Sequence, residues 1–417
     1  MQDCHHKISM GNAHLLIVVA FTALQLAVLA IFGYTPYPDS EGYIKLASEC
    51  VSLNDLYPAA STLNDLAFIW NVGSINAVAA SLWLFGSITP LLILYSLMKG
   101  TTAWLVYKTT AKAFDGKTAM IALCLYAAYP ANYGEGTSLL SETPFMFLTM
   151  LGMYAAVCRD KSFAGGTLMA LANWFRPMGL VFLLALLTYK RKHAIRLMAG
   201  YAAAICLIGS TCYLRTGHFI YQAKTGWMAL LQYSVDNTAD PTDDTLVYTG
   251  DANAVEKDAI WRNNFKQWLL SHPTDYVRQM PKKLAKTYIS DNVNMCVFLK
   301  DKGIRKYMYE EISMRSLAHD FPRYSAAQLI TLTNLLYYYA LMVMFVLGTA
   351  KMLAHKEYGK ATLPLATTLT GTAVLLLFGH GEARFHTPFM PFVIMAAAHW
   401  VALWLKQRKY QGKASQA

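Results

Sequence analysis

The stretch PYPDSEGY, residues 36 to 43, puts two carboxylates, Asp39 and Glu41, just beyond the first long apolar run. A carboxylate near headgroup level can accept the proton of a hydroxyl as that oxygen attacks an activated carbon. An equally physical reading has Asp39 or Ser40 capping a juxtamembrane helix, with Glu41 favoured by the helix dipole and Pro36 and Pro38 keeping the chain extended before it. Three other stretches carry similar groups. Glu142 opens an apolar run in SLLSETPFMFL, where Ser141 or Thr143 could cap and Pro144 suits the first turn. Glu135 lies between Gly134 and Gly136. Arg176 precedes Pro177, which is favoured at the first position of a helix, so its guanidinium and the free N–H groups of that helix would face one anion.

The loop GHGEARFHTPFMP, residues 379 to 391, adds His380, Glu382, Arg384 and His386. Arg384 suits a phosphate and His386 could assist it, while Glu382 could simply pair with Arg384. His380, Glu382 and His386 allow a divalent metal, although their spacing matches no strong ligand signature. Arg278, Lys282 and Lys286 recur at every fourth position and share a helical face that would meet anions at a membrane surface, with Lys283 beside it.

The elements that must position these groups are membrane segments. The chain has 417 residues, 55% hydrophobic and only 15% charged, and its apolar residues gather into about ten runs. That profile predicts an all-α polytopic membrane protein. A net charge of +11 could indicate nucleic acid, but basic residues fall largely between apolar runs, as topology demands, and no nucleic-acid partner is expected. Lys7, then Lys108, Lys112 and Lys117, then Arg159 and Lys161, then Lys190, Arg191, Lys192 and Arg196, then Lys351, Lys356 and Lys360, and finally Lys406, Arg408, Lys409 and Lys413 mark every second connection. These connections are expected to be cytoplasmic, with both termini inside. All the candidate groups then fall on the outer side.

Two runs, about 163 to 175 and 178 to 189, are too short to cross a core of about 30 Å at 1.5 Å per residue, which sets Arg176 near headgroup depth. Leu66 to Phe85 is expected to lie along the interface. Leu15 to Phe32 reads as a retained signal anchor. The outer stretch 215 to 325 begins acidic and irregular, with Asp236, Asp240, Asp243, Asp244, Asp251, Glu256 and Asp258, and turns helical from Ala259 to Ile289. The chain thus divides into a membrane module (1–214), a small, mostly helical outer domain (215–325) and a second membrane module (326–417). Seven cysteines show no metal-type spacing; only Cys50 and Cys296 would share the outer side, where a disulfide could join them. The absence of an Asn-x-Ser/Thr sequon favours a bacterial envelope.

These motifs, in order, resemble the membrane-embedded GT-C glycosyltransferases, in particular the branch of the protein O-mannosyltransferases and of the enzymes that add aminoarabinose or galacturonic acid to lipid A. The resemblance rests on Asp39 to Tyr43, Tyr129 to Leu148, NWFRPMGL at 173 to 180, SHPTDYVRQMPKKL at 271 to 284 and GEARFHTPFMP at 381 to 391. It implies transfer of a sugar from a polyprenyl-phosphate carrier on the outer face of an inner membrane to a glycan, lipid or protein acceptor. It further implies Asp39 as base with Glu41 as its neighbour, Glu142 as a site carboxylate, and Arg176 and Arg384 as contacts to the carrier phosphate, with no required cofactor. Tyr43, His386, Lys282, Lys283 and Lys286 complete the expected substrate contacts. The family often has Tyr where Phe385 stands. A ligase or polymerase acting on pyrophosphate-linked glycans would share the topology and outer arginines; a transporter would instead show charge at mid-membrane and related halves.

Overall fold

The computed structural model describes residues 12–238, 246–302 and 326–414; Cys4, Lys7, Asp240, Asp243 and Asp244, and the side chains of Cys296, Lys409 and Lys413, lie outside what it describes. Regular structure among the described residues is entirely helical. In chain order the helices are α1 (Ala13–Phe32), α2 (Pro38–Ser52), α3 (Val72–Phe85), α4 (Thr89–Ala113), α5 (Gly116–Ala127), α6 (Ala131–Glu135), α7 (Glu142–Cys158) and α8 (Ser162–Phe175). They continue as α9 (Gly179–Tyr189), α10 (Ala194–Thr216), α11 (Gly226–Asp236), α12 (Ala254–Ser271), α13 (Pro273–Tyr288), α14 (Ala326–Ala354), α15 (Tyr358–Phe378) and α16 (Met390–Ala414).

Each apolar run read from the sequence folds as a helix. Among the described residues five stretches are long and apolar enough to cross a membrane: Ala13–Phe32, Arg191–Thr216, Leu329–Ala354, Tyr358–Phe378 and Ala383–Arg408. The rest differ in length or charge. Helix α4 has 25 residues but carries Lys99, Lys108 and Lys112, while α5 and α9 have 12 and 11 residues. At 1.5 Å per residue the last two extend less than about 20 Å.

The largest apolar core joins α4, α5, α7, α8, α9, α15 and α16 through Leu105, Val106, Phe145, Met150, Met169, Phe182, Phe389 and Phe392. A second core sits between α2, α3 and the start of α4, with Tyr43, Ala47, Ile75, Val78 and Tyr95. Helix α3 buries one face there, while Trp83, Leu84 and Phe85 at its end are exposed. Cys50 lies in this core as a free thiol, so the link to Cys296 that the sequence allowed is not formed. A third, small cluster of Leu230, Leu231, Trp261, Phe265, Trp268 and Tyr276 holds α11, α12 and α13 together.

Local chemistry fixes where these helices start. Tyr37 is extended and Pro38 takes the first position of α2, so the helix begins one residue earlier than an extended Pro36–Pro38 stretch would allow. The Tyr37 N–H donates to the Ser40 hydroxyl at 2.8 Å, and Asp39 and Glu41 stand in the first turn, where the dipole favours carboxylates. Helix α12 starts at Ala254, five residues before the expected change of pattern, because Asn253 accepts from the N–H groups of Val255 and Glu256 while Glu256 accepts from that of Asn253.

Helices α8 and α10 meet backbone to backbone. A Cβ on Gly166 would sit 1.9 Å from the Leu197 carbonyl oxygen, and one on Gly200 would sit 2.0 Å from that of Phe163. Small residues permit such an approach where apolar helices cannot gain by leaving water. Gly166→Val is therefore expected to force the pair apart and cost about 1–3 kcal/mol or more. A lowered melting temperature of the purified protein in detergent checks this, and an unchanged one contradicts the close crossing.

Candidate active site

Four chain segments distant in sequence meet around one cavity of about 690 Å³. The first turn of α2 supplies Asp39 and, one turn on, Tyr43; the α8–α9 junction supplies Arg176; a short 3-10 turn, Ala383–Phe389, supplies Arg384 and Phe385. The strap from Phe219 to Leu230 closes another side. Glu142, the first residue of α7, lies buried just behind the arginines.

The charges form a chain. Arg176 Nη1 donates to Glu142 Oε1 at 2.8 Å and to the Ser141 hydroxyl at 3.2 Å, and its guanidinium lies 5.0 Å from the centre of the Phe385 ring. Glu142 Oε1 is also 3.9 Å from Arg384 Nε. Arg384 Nη1 is 2.7 Å from Asp39 Oδ2. Its Nε is 2.7 Å from Glu382 Oε1, but the N–H is not aligned on that oxygen and makes no hydrogen bond. Burial alone would raise the Glu382 carboxyl, but Arg384 beside it, helped by His380 and Arg176, holds it down at about 2.

Arg176 reaches this position because α8 ends at Phe175 and the next residues are irregular. Helix α9 begins at Gly179 rather than at Pro177, since the Asn173 side chain accepts from the Gly179 N–H at 3.1 Å and a Cβ at 179 would lie 2.2 Å from the Met169 carbonyl oxygen. One of the N–H groups expected to face an anion is thereby already satisfied. Tyr43 is buried, and its hydroxyl accepts from Asn71 Nδ2 at 2.7 Å. Desolvation, with Asp39 and Glu142 nearby, raises that phenol well above its ordinary value.

Other candidates lie elsewhere. Glu41 is exposed and does not line the cavity. Lys282 donates to Asn237 over a separate depression of about 340 Å³ that also takes in Arg278. Lys286 lies 5.2 Å from the Tyr233 ring centre. Lys283 is fully buried, 4.9 Å from the Tyr276 ring and 5.2 Å from that of Tyr233, and 3.5 Å from the Leu376 carbonyl oxygen near the end of α15. His386 points inward: Nδ1 is 2.7 Å from the Thr287 carbonyl oxygen and Nε2 is 3.6 Å from Asp291. It therefore cannot join His380 and Glu382 around one ion. Glu135 is buried against Lys99 at 2.7 Å. Among the described residues no three His, Cys, Asp or Glu side chains converge as a metal site.

The cavity also has walls that the sequence did not single out. Trp70, Phe219, Tyr221 and Trp227 give it aromatic faces, and Lys224, 3.7 Å from Asp258, adds a loosely paired cation. The clustering of Tyr, Gln, Lys and Trp in FIYQAKTGW, directly after an apolar helix, was the available signal. The chain matches no family model and no curated protein. The fold and site define a broad class: an all-helical protein with several helices apolar and long enough to cross a membrane, carrying a charged, aromatic-walled cavity.

Two outcomes follow from the burial of these charges. Glu142→Gln leaves Arg176 buried without its counter-charge and is expected to cost roughly 3–5 kcal/mol, with much of the loss recovered in a Glu142→Gln/Arg176→Met double variant. Denaturation midpoints of the three proteins measure this coupling; additive losses would contradict it. Burial pushes the Lys283 ammonium from 10.5 down to about 8. The unfolded chain then holds the extra proton between those values, so stability rises with pH across that window and the cost of the buried charge is full below it. Lys283→Met should raise the melting temperature at pH 7 and lose this advantage as the pH nears 10.5. An equal gain at both pH values would exclude titration of Lys283 as the cause.

Proposed function

We propose that this chain is an integral-membrane glycosyltransferase of the GT-C type, moving a sugar from a polyprenyl-phosphate donor to an acceptor hydroxyl on the outer face of a bacterial cytoplasmic membrane. In this reading the ten apolar helices form the membrane bundle, and α2, α3 and α11 to α13 cover its outer end. The observation that carries the reading is the convergence of Asp39, Arg176 and Arg384 on one aromatic-walled cavity. A carboxylate and two guanidiniums are the groups an inverting displacement at a phosphate-bearing carbon uses.

Asp39 takes the proton of the acceptor hydroxyl as its oxygen bonds to the anomeric carbon, and the carbon–oxygen bond to the carrier breaks with its electron pair going to the phosphate. Charge on the leaving phosphate grows during that step, and Arg384 and Arg176 stabilise it where it forms. Glu142 acts behind them by holding Arg176. The aromatic faces of Trp70 and Trp227 suit either a sugar ring or the first isoprene units. The acceptor, whether glycan, lipid or protein, enters beside Asp39. The reaction so written uses no metal.

Asp39→Asn is expected to lower the transfer rate about 10²- to 10⁴-fold, and Arg384→Met about 10²- to 10³-fold. Both are measured with purified protein, a labelled polyprenyl-phosphate sugar and candidate acceptors. Full activity in Asp39→Asn together with an inactive Glu41→Gln would move the base to Glu41, and indifference to both changes would falsify the mechanism.

A further inference from the structure

We propose that Asp39 and the phosphate of a bound ligand compete for one guanidinium, that of Arg384, so that arrival of the phosphate is what releases the Asp39 carboxylate. This deepens the proposed function and rests on it for the identity of the ligand. The argument starts from the number of anions around Arg384. Asp39 lies 2.7 Å from Nη1, Glu382 lies 2.7 Å from Nε without an aligned hydrogen bond, and Glu142 lies 3.9 Å away. Three carboxylates share one cation. Arg384 and Asp39 both line the cavity, so a phosphate entering there meets a guanidinium edge already engaged by Asp39. Arg176 differs: its Nη1 is held by Glu142 and Ser141 and its face is covered by Phe385, and it has no contact with Asp39.

A carboxylate oxygen held 2.7 Å from a guanidinium is directed at that cation and not at an acceptor hydroxyl. Exchange of partners corrects this. Once phosphate takes the Arg384 edge, the Asp39 carboxylate is free to turn to an acceptor hydroxyl, beside the very ligand whose carbon is to be attacked. Binding of the phosphate-bearing donor therefore precedes activation of the acceptor, and Asp39 is kept from activating water before the donor is bound.

The test reads binding rather than transfer, using farnesyl phosphate and the full chain in phosphatidylcholine nanodiscs. A guanidinium that is available only about a tenth of the time weakens apparent affinity by about tenfold, so Asp39→Asn should bind farnesyl phosphate about tenfold more tightly than wild type. Glu382→Gln should tighten it by a smaller factor, and serves if the first variant fails to fold; Arg384→Met should lose binding. Unchanged or weaker affinity in the two carboxylate variants, or no binding by any of the proteins, overturns the proposal. Inorganic phosphate should show the same order of affinities. A gain seen only with phosphatidylglycerol in the disc would assign Arg384 to bilayer headgroups and also overturn it. Wild-type protein that transfers sugar without any gain in the variants sinks this inference alone, whereas the gain in a protein that transfers no sugar sinks the proposed function alone.

Discussion

The carboxylate of Glu142, buried between two arginines, is the interaction on which the charged cavity depends. Charges taken out of water are costly unless paired, and in an all-helical apolar protein few partners exist. Glu142 opens α7, Arg176 follows α8, and Arg384 sits in the turn before α16, so one carboxylate oxygen ties three elements. At an effective dielectric of 20, a pair of unit charges 4 Å apart interacts by about 4 kcal/mol, and the 2.8 Å contact to Arg176 outweighs the 3.9 Å contact to Arg384. Arg176 is thus the member that Glu142 holds, while Arg384 is held more closely by Asp39 and Glu382.

A second polar framework holds the irregular segments around that centre. Lys99 Nζ donates to Asn132 and Glu135 at 2.8 and 2.7 Å, fixing α6 against α4. Tyr129 hydrogen-bonds to Asp291, whose other oxygen accepts from Asn294, and Asn334 of α14 binds both the Ala131 N–H and the Asp291 carbonyl oxygen. The Tyr37 hydroxyl reaches the Val293 carbonyl oxygen at 2.7 Å. Short helices and loops within an apolar bundle leave backbone groups that lipid cannot satisfy, and these side chains meet that need. The start of α2 is therefore positioned by a segment far along the chain.

Much of this was legible in the sequence, for reasons that differ by residue. The apolar runs marked nearly every long helix because few polar residues interrupt them. Asp39, Glu142, Arg176 and Arg384 stood out as charges beside such runs, where an ionisable group is expensive. Lys282 and Lys283 mark the limit of this reasoning. They are neighbours in sequence, yet one is exposed and the other fully buried, because adjacent helical residues point about 100° apart and only tertiary packing decides which side meets α15. The inward turn of His386 and the pairing of Tyr129 with Asp291 were equally hidden, since no local pattern links residues so far apart along the chain. Asn71 escaped notice because an amide that orients a phenol leaves no charge signature.

Gly381 gives the Arg384 turn a direction. It adopts a φ of +74° and lies so close to α13 that a Cβ would be 2.9 Å from the Lys283 Cα and carbonyl oxygen. The turn has no room to retreat on that side. Any displacement of the segment must carry it away from α13, and the close-packed backbone behind it acts as a mechanical stop rather than a spring.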